Sequence, residues 1–167
     1  MNVKAKLAAM VAAVALATPL VMKWEGLRVS SYQDHIGVWT ICYGHTGPDV
    51  GPGLKASGAQ CQRWLEQDLA EAYDVTMACV PGEVPRSVRA AFTSFAFNVG
   101  PGRTGVKDGM CRLKSGRIPS HVVLLNTGQY AAACDRLLLW ANAGGAPSKG
   151  VMNRRLDEVS TCKKDLP

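Results

Sequence analysis

Six cysteines, at positions 42, 61, 79, 111, 134 and 162, constrain the fold of this 167-residue chain more than any other feature. None stands in a C-x-x-C pair, the spacing that marks zinc ribbons and thioredoxin-like sites. An even number at wide spacings fits three cross-links made in an oxidising compartment, against the alternative of six separate buried thiols. The length allows one domain with a substantial core, in one or two lobes. A composition that is 47% hydrophobic and 19% charged is globular and excludes a disordered chain. The net charge of +6 favours a polyanionic partner, for which nucleic acid, anionic lipid and peptidoglycan all qualify. No run of Lys and Arg is interleaved with aromatics, and Arg154-Arg155 is only a pair, which argues against nucleic acid.

The N-terminus points to export. Lys4 and Lys6 precede an uncharged stretch from Leu7 to Met22 that contains six Ala and no Ile or Phe. As a helix its sixteen residues span about 24 Å, short of the roughly 30 Å hydrocarbon core. The two lysines would hold the chain end in the cytoplasm and send the rest outward. Three readings compete: a signal peptide cleaved at the small-x-small site Ala15-Leu16-Ala17, a stable anchor, and a weak anchor that later leaves the bilayer and joins the folded protein. The short, Ala-rich run disfavours the stable anchor, and the releasable one is preferred over cleavage. An ordinary amphipathic helix is opposed by the lack of a recurring polar face before Lys23. Thr18-Pro19 is a good N-cap and N1 pair and predicts a helix from about Pro19 to Glu25; a helix running through would kink at Pro19.

Gly26 is a helix stop. Arg28 to Thr46, rich in Tyr, Val, Ile, Trp and Thr, reads as short antiparallel strands with a tight turn at Asp34 to Gly37. A Gly/Pro loop from Gly47 to Gly53 follows. Ser57 then opens a helical pattern to about Cys79. Beyond it, helices are expected at Arg86 to Val99, Met110 to Lys114, Ile118 to Leu125, Tyr130 to Asn142 and Val151 to Cys162. Gly100-Pro101-Gly102 and Gly144-Gly145-Ala146-Pro147 are read as linkers. The plan is α+β. Residues 1–22 form a signal-like segment and 23–167 one domain, comprising a small β-containing lobe (26–56), a connecting helix (57–79) and a helical lobe (80–167).

Glu25 sits at the C-terminal end of a predicted helix, beside Trp24 and apolar neighbours. Helix dipole and desolvation both push such a carboxyl upward, as a general acid at neutral pH requires. Asp34 lies in a Gly-flanked turn where water or backbone N–H groups keep it ionised. Two carboxylates with pKa values driven apart form a glycosidase pair, although a Glu and an Asp nine residues apart are a weak signal alone.

The order and spacing of Glu25-Gly26-Leu27-Arg28, Tyr32-Gln33-Asp34 and Gly37-Val38-Trp39-Thr40-Ile41-Cys42-Tyr43-Gly44-His45 make the signal specific. This segment resembles the catalytic segment of phage-type lysozymes, written E-G-x-R, Y-x-D and G-x-x-T-x-G-x-G-H. Cys42 departs from it, standing where that family often has Gly. Phe95 to Gly100 resembles the family's F-x-x-N-x-G helix end, and Trp140, Gly144-Gly145 and Asn153-Arg154-Arg155 resemble its last two helices, so the similarity covers about residues 24 to 162.

The resemblance implies a lysozyme-like fold and a muramidase, an endolysin cutting the β-1,4 bond between N-acetylmuramic acid and N-acetylglucosamine. Glu25 would be the general acid, with Asp34 and Thr40 holding and activating water; a nucleophilic Asp34 is the rival detail. Asn98 would be a helix cap or a sugar contact. Arg154 and Arg155 would line the cleft or pair with Glu158 or Asp157, and Arg155 is taken with Asn98 as substrate-binding. His45 has no metal-site spacing and is expected to tie the sheet to the connecting helix through Asp68. His35 and His121 are expected at the surface. No cofactor and no metal are expected, and the chain is expected to act as a monomer on peptidoglycan with transient tethering to the host inner membrane and no nucleic-acid partner.

Cys42 with Cys61 would join the sheet to the connecting helix, and Cys134 with Cys162 would staple two C-terminal helices, leaving Cys79 for Cys111 among fifteen possible connectivities. With its weak N-terminal segment the chain most resembles signal-anchor-release endolysins of phages of Gram-negative hosts. Residues 1–41 hold no cysteine, which closes the disulfide-exchange activation known for some of them. The alternatives are a lytic transglycosylase on the same bond and an inactive wall-binding protein.

Overall fold

The computed structural model describes residues 3–34 and 36–167; the expectation for His35 lies outside them. Helix α1 runs from Val3 to Glu25 without a break at Pro19, rather than starting there. Its Ala-rich sequence favours helix throughout. Ala13, Ala17 and Val21, spaced four apart on one face, are fully buried. Ala17 and Val21 pack on Leu65 and Leu69. That packing carries the helix through a residue that local rules make a starting point. The face with Val3, Leu7 and Val11 stays exposed, and by length and composition α1 is long and apolar enough to cross a membrane. Gly26, at φ +69°, ends it.

Strands β1 (Arg28–Gln33), β2 (Trp39–Cys42) and β3 (His45–Thr46) then form an antiparallel sheet in that order. Tyr32 lies opposite Thr40, and Ile41 opposite His45. Ile41, Cys42, Val50 and Cys61 make the small lobe's core. Helix α2 (Gly58–Cys79) begins at Ser57, whose hydroxyl accepts the N–H of Gln60 at 3.2 Å. Helix α3 (Arg86–Val99) is the axis of the helical lobe: every residue from Ser87 to Ala96 is buried, because α1, α2 and α6 (Lys149–Lys163) all pack around it. Phe92 and Phe95, buried here with Val88, Met110 and Leu137, are each worth ~1.5–3 kcal/mol of apolar burial. Helices α4 (Ser120–Asn126) and α5 (Tyr130–Asp135) close the lobe.

Four local expectations are corrected. Residues 110–114 are not helical: the loop folds back so that Gly102 and Gly109 touch backbone to backbone, and Cys111 N–H bonds to the Pro101 carbonyl at 2.9 Å. The helix expected from Tyr130 to Asn142 stops at Asp135, tightens into a 3-10 turn over Arg136–Leu139, and gives way to strand β4 (Asn142–Ala143). Gly144-Gly145 is a hairpin turn rather than a linker, both residues having positive φ, and β4 pairs with β5 (Ala146–Pro147) across it. His121 is buried, not superficial. It stacks on Phe92 and meets Phe95 and Trp140 edge-on. Its Nε2–H donates to the Met110 carbonyl at 2.8 Å, and burial lowers its pKa to about 4.

The disulfides are Cys42–Cys61, Cys79–Cys111 and Cys134–Cys162, the pairs drawn from the sequence. The first fastens the sheet to α2, the second fastens the α3–α4 loop to the end of α2, and the third joins α5 to α6.

Candidate active site

Glu25 is the last residue of α1, and its half-buried carboxylate lies between α6 and the sheet. Its Oε1 accepts from Arg154 Nη1 at 2.5 Å. On the other side is Gly44, in the β2–β3 turn, where an added Cβ would lie 3.5 Å from Glu25 Oε2. The two residues before Glu25 are held as well: Lys23 Nζ and Trp24 Nε1 both donate to Asp157 Oδ2, at 2.6 and 2.9 Å. Consecutive side chains of α1 thus grip one face of α6.

Asp34 follows β1 directly. Its Oδ1 accepts the N–H groups of Ile36 and Val38, at 2.9 and 2.8 Å, in the manner expected of an Asp at a tight turn. Thr40, buried in β2, donates its hydroxyl to the Val38 carbonyl at 3.1 Å. Val38 is therefore held at its N–H by Asp34 and at its C=O by Thr40, which brings the two side chains to the same residue of the hairpin. Glu25 faces the far end of β2.

His45 and Asp68 meet across the lobe boundary: His45 Nδ1 lies 3.0 and 2.9 Å from the two carboxylate oxygens. The imidazole stacks on Trp64 of α2, centroids 4.7 Å apart. Burial raises the Asp68 pKa against the lowering effect of His45. The pair ties β3 to α2. Next to it, Gly44, Thr46, Asp68, Glu71 and Phe97 line a cleft of about 270 Å³.

On the helical side, Asn98 is exposed while Arg155 is buried. Arg155 donates to Glu158, to the Trp140 carbonyl and to Asn98 Oδ1, and its guanidinium lies 4.7 Å from the Phe95 ring centre. Burial lowers its pKa, opposed by Glu158. Asn98 and Arg155 border a larger open pocket, about 820 Å³, with Lys107, Trp140 and Asn142. Arg155 presents little surface to that pocket itself and acts on it through the Asn98 amide. Glu158, fully buried, also accepts from Arg154 and from Ser94 Oγ at 2.8 Å. Arg154 and Arg155 are thus balanced by Glu158 and Glu25. Among the described residues no group of three or more His, Cys, Asp or Glu side chains could hold a metal ion.

The sequence reading placed Glu25 at a helix end among apolar groups and missed the guanidinium against it. A signal existed: two adjacent arginines and only one Glu a turn away on α6 leave one guanidinium in need of a second carboxylate, since a buried charge requires a partner. Asp157, which receives Lys23 and Trp24 rather than an arginine, was also not anticipated in that role.

The phage lysozyme family profile matches residues 22–158. The chain belongs to the phage lysozyme family. It is 36% identical over 138 residues to the SAR-endolysin of Bacteriophage PS119, covering 83% of this chain and 75% of that protein. It is 33% identical over 136 residues to the SAR-endolysin of Escherichia phage Mu, covering 81% and 72%. Among solved structures, the active form of P1 phage endolysin Lyz gives a TM-score of 0.78 at 26% identity, over 96% of this chain and 94% of that one. A P22 lysozyme variant gives 0.70 at 28% identity, over 87% and 93%. This phage lysozyme has the family's α+β fold, is of the SAR-endolysin type, and is a glycosidase acting on peptidoglycan.

Proposed function

We propose that this lysozyme is an endolysin that cuts the β-1,4 bond between N-acetylmuramic acid and N-acetylglucosamine, with Glu25 as general acid and Asp34 and Thr40 holding the attacking water. The observation that supports this best is the placing of the Glu25 carboxylate against Gly44, on the sheet whose other end carries Asp34 and Thr40 around Val38. Oε1 of Glu25 is committed as an acceptor to Arg154, so the proton given to the glycosidic oxygen sits on Oε2, the oxygen facing the sheet. Asp34 Oδ1 accepts two backbone N–H groups, which fix the carboxylate in the turn from which it would polarise water. Water attack on the face opposite the acid inverts the anomeric carbon. Asn98, held by Arg155, would hydrogen-bond the strand in the larger pocket.

The protein works from the periplasmic side as a monomer. Residues 1–22 serve first as a weak inner-membrane tether, through the uncharged stretch of α1. In the bilayer that stretch cannot pack on α2 and α3, and Glu25, three residues beyond Met22, is kept from the sheet. Release lets α1 dock and sets Glu25 beside Arg154 and Gly44.

Glu25→Gln is expected to abolish clearing of permeabilised Gram-negative cells. The parent product should carry a reducing end with the inverted anomer. An anhydro sugar would make the protein a lytic transglycosylase, a retained anomer would make Asp34 a nucleophile, and undiminished clearing by Glu25→Gln would remove the assignment. Equal activity of tethered and released protein would refute the tether.

A further inference from the structure

The segment between α3 and α4 concentrates the molecule's positive charge. Residues 101–118 hold Arg103, Lys107, Arg112, Lys114 and Arg117 against the single carboxylate Asp108, a net +4 out of +6 for the whole chain. The cations are spaced along the sequence, so no contiguous basic run announces them; folding gathers them. All five are exposed. Among the described residues none of the five forms an ion pair, and Asp108 uses its carboxylate on the Lys114 backbone N–H at 2.6 Å.

This loop is built to hold its shape. Arg103 N–H bonds to the Lys107 carbonyl at 2.9 Å, Gly105 N–H to Lys114 at 2.8 Å, and Leu113 N–H to Arg117 at 3.0 Å. Cys111 anchors it to α2. A Cβ on Gly102 would stand 2.0 Å from the Arg112 carbonyl oxygen, so the backbone is closed on itself. Lys107 carries the array to the rim of the pocket that Asn98, Trp140 and Arg155 border.

We propose that this loop is a docking surface for the carboxylate-bearing peptide branches of the wall polymer, beside the cleft that holds its sugars; the inference rests on the function proposed above. The N-acetylated sugar backbone is largely neutral, and the strand's free carboxylates lie on its peptides. The disulfide and the backbone hydrogen bonds fix the points from which these side chains project, so the loop itself loses little freedom on binding and several weak screened contacts add up. A lipid surface fits less well, because interfacial segments carry aromatic anchors and residues 101–118 contain none. The same absence leaves no platform for nucleic-acid bases.

The test measures binding of the Glu25→Gln protein, which does not turn over, to peptide-bearing wall with its carboxylates free and to the same wall with those carboxylates coupled into neutral amides, both fixed on beads. The Glu25→Gln protein is expected to hold the wall with free carboxylates about tenfold more tightly, and Arg103→Gln/Lys114→Gln/Arg117→Gln added to it should erase that preference. Equal affinity for both materials, or a preference that survives the triple change, overturns the proposal. So does loss of binding to anionic phosphatidylglycerol vesicles with the wall preference intact, which would make the loop a lipid contact. Should the triple variant fail to fold, the Glu25→Gln protein decides: its preference must decline as salt rises from about 0.05 to about 0.5 M. Wall clearing by the unsubstituted protein is read separately, so failure of the hydrolase reading is not confused with failure of this one.

Discussion

Arg154 and Glu25, 129 residues apart in sequence, are joined by a 2.5 Å charge-assisted hydrogen bond. The same guanidinium reaches Glu158 through Nε, so one side chain links the last residue of α1 to the buried carboxylate of α6. The bond orients Glu25 within the site, and the predictions begin there.

Arg154→Gln should reduce wall clearing by about 10²-fold, since a displacement of roughly 1 Å in a catalytic group costs that much. Arg154→Lys should recover only part of the rate, because an ammonium cannot span both carboxylates as the planar fork does. Initial clearing rates, compared with melting temperature, separate this from unfolding. Full activity in Arg154→Gln would show that Glu25 needs no such orientation.

Glu158→Gln should destabilise the fold by about 3–5 kcal/mol, because it leaves the buried Arg155 without a carboxylate and Arg154 with Glu25 alone. Urea denaturation with disulfides intact reads this directly. A loss under 1 kcal/mol would mean the cluster rearranges at little cost.

His121 makes stability fall in acid. Its folded-state pKa, about 4, lies below the ordinary value of 6.5, so the unfolded chain binds the proton first as pH drops. The resulting loss sets in below about pH 6.5, is complete near pH 4, and amounts to about 3 kcal/mol. His121→Phe, which keeps the aromatic packing without the titration, should flatten this part of the pH profile. An unchanged slope between pH 6.5 and 4 would assign the acid sensitivity to other groups.

Gly102→Ala should unravel the basic loop, as its methyl would fall 2.0 Å from the Arg112 carbonyl at a backbone φ of +81°. A lower melting temperature and faster proteolysis within 101–118 are expected, with the helical core still folded. Parent-like protection would contradict the close approach.

Local rules carried the sequence reading where the cause was local. Gly26 ends α1 because the chain needs a positive φ there, and Ser57 starts α2 because its hydroxyl caps an N–H three residues on. Asp34 in its turn was legible for the same reason. Contacts between distant segments were not. Nothing near residue 110 announces that Gly102 and Gly109 will touch, and nothing near His121 says that Phe92, Phe95 and Trp140 will enclose it. Pro19 shows the conflict most clearly: a good helix start in isolation, it lies inside a helix whose Ala13, Ala17 and Val21 are packed on both sides of it.

The three disulfides all lie between residues 42 and 162, and none of them reaches α1. Everything from the sheet to α6 can therefore be oxidised and locked while the first helix is elsewhere, and the arrival or departure of that helix breaks no covalent bond. On the tether proposed above, maturation would divide into a durable step set by oxidant and a reversible step set by partition of a helix between lipid and protein, and only the second would govern when cutting begins.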